Sequence, residues 1–164
     1  MPQTEMTCHS PATGQAPDDA SRIALIGSPN GGKTSIFNQL TGLHAKTGNY
    51  PGVTVSRSEG VARIHDHPFA IEDLPGTYSL SPISPDEQVV VDVLDGRMDQ
   101  VSAPDALVVV ADATALRRSL LLLAEVLPRH LPTAVVVTMT DELRRRQGSL
   151  DVTALSQALG VPVV

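Results

Sequence analysis

The chain has 164 residues, the length of one domain, long enough to bury a sizeable core and too short for two generous ones. Hydrophobic residues make up 41% and aromatics only 2%, so the core must be built from Val, Leu, Ile and Ala, as in a parallel sheet covered on both faces. A formal charge of -6 excludes a broad basic face for a nucleic acid, and the single cysteine, Cys8, excludes an internal disulfide and points to a reducing, cytoplasmic setting.

Residues 1–21 are rich in Pro, Thr, Ser, Ala and Asp without apolar periodicity and are expected to be a tail outside the fold. Within it, Cys8-His9 is a poor metal site because two ligands lack partners. From Arg22 to Ile26 a short apolar strand is predicted. A helix follows from Lys33 to about Leu40, with Ile36, Phe37 and Leu40 on one face and Gly42 placed to stop it. Leu43 to Gly52 reads as an exposed loop. Two strands are then expected, Val53 to Ile64 and Phe69 to Asp73, joined by a turn over His65-Asp66-His67-Pro68 rather than by a His-x-His metal pair.

Ser84-Pro85-Asp86-Glu87 is a helix start, with Ser84 as N-cap, Pro85 at the first helical position and Glu87 three residues after the cap; that helix should run to about Leu94. Asp105 to Asp112 is a strand of the fully buried type, Thr114 to Leu127 a Leu-rich helix ending before Pro128, and Thr133 to Met139 a Val-rich strand. Arg144-Arg145-Arg146 reads as a solvated helix end or loop, Asp151 caps a last helix to Leu159, and Gly160 to Val164 begins a strand. No apolar run approaches the ~20 residues that cross a bilayer. Strands and helices alternate apart from one hairpin, so the expected fold is a three-layer, mostly parallel α/β sheet with ligands at the carboxyl ends of its strands.

Gly27-Ser28-Pro29-Asn30-Gly31-Gly32-Lys33-Thr34 matches G-x-x-x-x-G-K-[ST] between a predicted strand and a predicted helix. Such a loop holds phosphates through backbone N–H groups and a helix N-terminus, with Lys33 on the β- and γ-phosphates and Thr34 on magnesium. Asp73-Leu74-Pro75-Gly76 supplies the other half of a magnesium–phosphate site. Asp73 is placed to hold the metal, usually through water, and Gly76 has no side chain to keep its N–H from the γ-phosphate. Thr54, in the exposed segment before the hairpin, offers a hydroxyl and a carbonyl to magnesium and γ-phosphate. A loop held that way is released when the γ-phosphate leaves. Lys33, Thr54 and Gly76 are therefore the candidate catalytic residues.

Together these residues resemble translation-factor-type G proteins, and in detail the cytoplasmic G domain of the bacterial ferrous-iron transport protein B family. The resemblance is carried by Gly27 to Thr34 with Phe37-Asn38 and Leu40-Thr41-Gly42, by Gly48-Asn49-Tyr50-Pro51-Gly52-Val53-Thr54-Val55, and by Asp73-Leu74-Pro75-Gly76-Thr77-Tyr78-Ser79-Leu80 with Ser84 to Glu87. It continues through Val110 to Thr114 and on to Leu159-Gly160-Val161-Pro162-Val163-Val164, so that residues 22–164 are expected to be a P-loop GTPase domain.

What the resemblance implies is a GTP- and GDP-binding module with slow hydrolysis, joined in the usual member to a helical domain and a membrane-embedded Fe(II) permease at the cytoplasmic face of the inner membrane. It implies a potassium ion beside Asn30, supplying charge where other G proteins use an arginine finger. It implies no iron in this part of the protein; the acidic charge argues against a nucleic-acid partner, and the short apolar runs against membrane insertion by this chain. Thr77 stands where Ras-like proteins carry a water-orienting Gln. The base motif, usually Asn-Met-x-Asp, reads Thr138-Met139-Thr140-Asp141. Asp141 keeps the carboxylate that accepts from guanine N1 and N2, while Thr138 exchanges an amide for a shorter hydroxyl. Losing one hydrogen bond costs roughly 0.5–1.5 kcal/mol, so weaker affinity without loss of guanine preference is expected. The family's Ser/Thr-Ala loop against guanine O6 does not follow Val164, so a cut piece or a naturally truncated copy with a ragged last strand is expected. Two other readings stay open: a soluble G protein of the Era type in ribosome or RNA maturation, and a degenerate fragment without hydrolysis.

Overall fold

A computed structural model describes residues 16–164; the Cys8-His9 pair lies outside the described residues. The elements in chain order are β1 (Ser21–Gly27), α1 (Lys33–Thr41), β2 (Ala45–Asn49), β3 (Ser56–Ile64), β4 (His67–Asp73), α2 (Pro85–Leu94), β5 (Ala106–Asp112), α3 (Leu116–Val126), β6 (Thr133–Thr138), α4 (Thr140–Arg145) and α5 (Val152–Leu159). The strands form one sheet in the order β2-β3-β4-β1-β5-β6. β4, β1, β5 and β6 are parallel, and β3 pairs antiparallel with both β2 and β4. The expected architecture, mostly parallel with one antiparallel hairpin, is the one observed.

The alternation along β1 shows why the sheet is covered on both faces. Ala24 and Ile26 enter the larger core with Val90 and Val93 of α2 and Leu122 and Leu123 of α3. Leu25 points the other way and packs with Phe37 of α1, Ala62 and Ile71. Aliphatic branching does most of the filling. The two largest fully buried side chains are nonetheless aromatic, Tyr50 and Phe37.

Several local signals act as read. Ser84 caps α2 by accepting from the Glu87 N–H at 3.3 Å, and the Glu87 carboxylate accepts from the Ile83 N–H at 2.9 Å, one residue earlier than an ideal capping box requires. Asp151 caps α5 through the Ala154 N–H at 2.9 Å, and Gly42 ends α1 in the left-handed region at φ 61°.

Other expectations need correction. Within the expected loop from Leu43 to Gly52 lies β2, whose residues are all exposed and which is held by its ladder to β3. Leu40 is 40% exposed, and Thr41 takes the buried place beneath α1 with its hydroxyl donating to the Phe37 carbonyl at 2.9 Å. The β3–β4 turn is only His65-Asp66, with φ 49° and 66°, the doubly left-handed geometry that suits a two-residue hairpin; His67 and Pro68 already pair with Ile64 and Arg63. The segment before α3 is a 3-10 turn, Ala113–Ala115, held by Asp112, and a second such turn, Leu127–Arg129, runs through Pro128. Met139 has left β6 and is left-handed at φ 56°. The expected last strand is an isolated parallel bridge between Val135 and Val163.

Candidate functional site

The loop after β1 is shaped by close approach and by the left-handed backbone. A Cβ at Gly27 would lie 2.7 Å from the Val110 carbonyl oxygen of β5, so only glycine lets the strand end there. Asn30 and Gly32 are left-handed at φ 62° and 85°, which turns the chain into α1. No side chain caps α1, so its first amides face outward with the helix dipole behind them. A cavity of about 600 Å³ opens there, lined by Asn30, Gly32, Lys33, Thr34, Gly76 and Met139 among others. This arrangement suits an anion held by backbone donors.

Lys33 is 8% exposed, and its ammonium forms an ion pair with Asp73 at the end of β4. The Thr34 hydroxyl donates to the other oxygen of the same carboxylate at 3.0 Å. Two chain segments far apart in sequence thus meet at one carboxylate, because β1 and β4 are parallel neighbours with Leu25 opposite Asp73. Thr54 shares a second cavity of about 360 Å³ with Lys33, Asp73 and Gly76.

Gly76 is required for a reason the motif alone does not show. A Cβ on it would lie 2.9 Å from the backbone of Pro29, so the turn after β4 packs directly on the phosphate loop. Thr77 reinforces that contact: its N–H donates to the Gly27 carbonyl at 3.0 Å, and its buried hydroxyl donates to the Ser79 carbonyl at 2.6 Å. Thr77 is thus a structural tie between the two motifs, and its hydroxyl is committed inward.

The base motif divides. The Thr138 hydroxyl donates to the Gly31 carbonyl at 2.6 Å; the Ala111 carbonyl stands 3.3 Å away, and one hydroxyl proton serves one of them at a time. Thr138 also packs behind Gly32, where an added Cβ would meet its methyl at 3.2 Å. Thr138 therefore braces the phosphate loop. Asp141, in the first turn of α4, has a side chain 70% exposed with Arg145 at 3.6 Å, and it does not line either cavity. The Arg144 to Arg146 run is a solvated helix end, and Arg145 and Arg146 are engaged with Glu142.

One residue at the site went unread as such. Asp86 lines both cavities from the first turn of α2. Its sequence signals are a helix start and a place in the Ser84 to Glu87 stretch of the resemblance, and which way that start faces depends on the loop from Gly76 to Ile83.

Among the described residues there is no group of three or more His, Cys, Asp or Glu arranged to hold a metal, and no helix is long and apolar enough to cross a membrane. His65 and His67 belong to the hairpin, with His67 paired to Ile64.

Comparison with known proteins places this chain in a family. Residues 21–164 match the family model FeoB_N, ferrous iron transport protein B. The chain is 44% identical over 143 residues to the Fe(2+) transport protein A/Fe(2+) transporter FeoB fusion protein of Porphyromonas gingivalis, covering 87% of this chain and 16% of that protein. It spans 16–20% of the length of the first curated relatives it matches. The G domain of the T. maritima FeoB iron transporter superposes with a TM-score of 0.77 at 39% identity, covering 88% of this chain and 86% of that one. The cytosolic domain of the same transporter in a GDP form superposes with a TM-score of 0.81 at 38% identity, covering 90% and 56%. With a family model matched along all of the folded region, and with the same fold in the solved relatives, the chain belongs to the ferrous iron transport protein B family, in its FeoB_N part.

Proposed function

We propose that the folded region from β1 to Val164 forms a guanine-nucleotide-binding domain that hydrolyses GTP slowly and regulates a ferrous iron permease. One observation carries the reading: Lys33 and Thr34 of the phosphate loop converge on Asp73, in a cavity shared with Gly76 and Thr54. Relatives solved in GDP forms support the choice of nucleotide. In this reading Gly27 to Gly32 cradle the phosphates, Lys33 gives its charge to the β- and γ-phosphates, and the Gly76 N–H and Thr54 flank the γ-phosphate.

The residues fit magnesium: the Thr34 hydroxyl is hydrogen-bonded to the Asp73 carboxylate, and Asp73 shares a cavity with Thr54, so hard oxygen donors of the kind that ion prefers gather around Asp73. Bound there, magnesium neutralises charge on the phosphate oxygens. Asn30 fits potassium, since its left-handed backbone sets an amide on the wall of the phosphate cavity beside Lys33. Asp141 supplies the guanine carboxylate, and Thr138 acts through the phosphate loop. Hydrolysis then rests on positioning and charge, and slow turnover is expected. The helical domain and permease of longer family members are the partners this domain would control.

Titration with GTP and ATP analogues, with and without potassium, tests the reading. Tighter binding of the guanine nucleotide is expected, together with faster phosphate release in potassium than in sodium. Equal binding of both nucleotides, or of neither, overturns it.

A further inference from the structure

Tyr50 is the largest fully buried side chain, 1% exposed, although the segment before it is entirely exposed and Thr54, four residues later, is exposed as well. It enters the sheet face opposite α1, within the core cluster that holds Val55, Leu74 and Val89. Its hydroxyl donates to the Glu72 carboxylate at 2.8 Å. Arg57 of β3 donates to the same oxygen at 3.0 Å and sits over the Tyr50 ring at 5.8 Å from its centroid, while Arg22 of β1 approaches the other oxygen at 3.6 Å. Burial, and then the Glu72 charge, push the Tyr50 pKa far above the ordinary tyrosine value, so the hydroxyl keeps its proton and remains a donor.

Two further bonds close the loop above this anchor. The Tyr50 N–H donates to the Val55 carbonyl at 2.9 Å, and the Val53 N–H donates to the Tyr50 carbonyl at 3.3 Å. Thr54 sits inside that closed loop. Glu72 immediately precedes Asp73, the residue that pairs with Lys33 and Thr34. Successive strand residues point to opposite faces, so β4 presents Glu72 to the Tyr50 side and Asp73 to the phosphate side.

We infer that Tyr50, through its hydrogen bond to Glu72, is a positioning residue that clamps the Thr54 loop to the strand carrying Asp73, and so sets how readily Thr54 reaches the magnesium site. The inference rests on the GTPase reading above for its catalytic consequence, and on the contacts alone for the clamp. A loop that must be released and recaptured in each cycle needs one fixed root. Tyr50 is that root, because its ring is buried in the core and its only polar atom is satisfied there.

The test compares Tyr50→Phe, which keeps the ring and removes the hydroxyl, with Glu59→Gln. Glu59 pairs with Arg57 and Arg22 but does not touch Tyr50. In the full 164-residue chain without nucleotide, amide exchange at positions 50 and 53 should speed up about tenfold in Tyr50→Phe, the factor carried by one lost bond to a carboxylate, with α3 and β5 unchanged. In GTP hydrolysis the magnesium concentration for half-maximal rate should rise about fivefold, while KM for GTP at saturating magnesium stays within about twofold. Glu59→Gln should leave both readouts within about twofold of wild type.

Unchanged exchange at 50 and 53, exchange that speeds up equally throughout the chain, or an equal effect of Glu59→Gln overturns the clamp. Faster local exchange with an unmoved magnesium midpoint overturns its role in hydrolysis. A wild-type chain releasing no more phosphate than Lys33→Ala overturns the GTPase reading, and the exchange comparison then decides the clamp alone.

Discussion

Replacing Thr138 by Val deletes a hydroxyl and keeps the shape. The deleted group donates to the Gly31 carbonyl at 2.6 Å, and its methyl supports Gly32, so the change withdraws one hydrogen bond from the phosphate loop and leaves its packing in place. A neutral hydrogen bond is worth about 1 kcal/mol net, and at 1.4 kcal/mol per factor of ten its loss corresponds to about a fivefold change in an equilibrium constant. If Thr138 acts on the loop, that loss falls on every ligand that needs the loop formed, whatever the base. GDP and inorganic pyrophosphate make the comparison, because both carry the phosphate contacts and only one carries guanine. Calorimetric titration of both into wild type and Thr138→Val should show each weakened about fivefold. If GDP weakens and pyrophosphate does not, Thr138 reads the base and the loop-bracing argument is wrong.

Asp141→Asn should give the opposite pattern: GDP weakened at least about tenfold with pyrophosphate within about twofold, because one of the two accepting oxygens becomes an NH2 donor facing a guanine donor. Equal loss of both ligands would contradict a base-reading role for Asp141. Gly76→Ala places a Cβ 2.9 Å from Pro29 and forces the turn off the phosphate loop. Such overpacking costs about 1–3 kcal/mol, so a fall in Tm of at least about 2 °C and slower phosphate release are expected, and an unchanged Tm would show that the two segments are not packed. Lys33→Ala leaves a nearly buried Asp73 with Thr34 as its remaining partner in the site. Urea unfolding of the nucleotide-free chain should show a loss of about 3 kcal/mol, and a wild-type midpoint would mean that the pair contributes nothing to the fold.

The parts of the site legible in the sequence are those whose geometry is local. Gly27 to Thr34 must turn tightly between a strand and a helix, and residues free to adopt left-handed conformations stand at the two positions, Asn30 and Gly32, that need it. Ser84 and Asp151 cap helices through bonds that span three residues, so neither depends on the rest of the chain. The Val-rich runs of β5 and β6 have no polar face, which already implies a strand covered on both sides. Asp73 and Gly76 were readable as a pair with the loop only because parallel strands align their carboxyl ends.

What stayed hidden depends on contacts between distant segments. β2 has no apolar alternation and exists because β3 offers it a ladder, so a polar run read as a loop is an edge strand. Leu40 matched the helical period, yet the sheet beneath α1 is occupied by Phe37 and Thr41. Asp86 wore the signal of a helix start, and only the path of the chain from Gly76 turns that start toward Lys33.

By itself, then, the sequence determined that this chain carries a phosphate-loop pattern at the end of a parallel strand, with the matching Asp and Gly, because short-range backbone geometry and residue type leave few alternatives. The tertiary structure decided which of the remaining polar groups serve that site. Thr138 turns inward to the Gly31 carbonyl, Gly76 is a glycine because Pro29 lies against it, and Tyr50 ties the Thr54 loop to the neighbour of Asp73. Each of these depends on where a side chain finds a partner from another part of the chain, and a buried polar atom takes the partner that packing brings within reach.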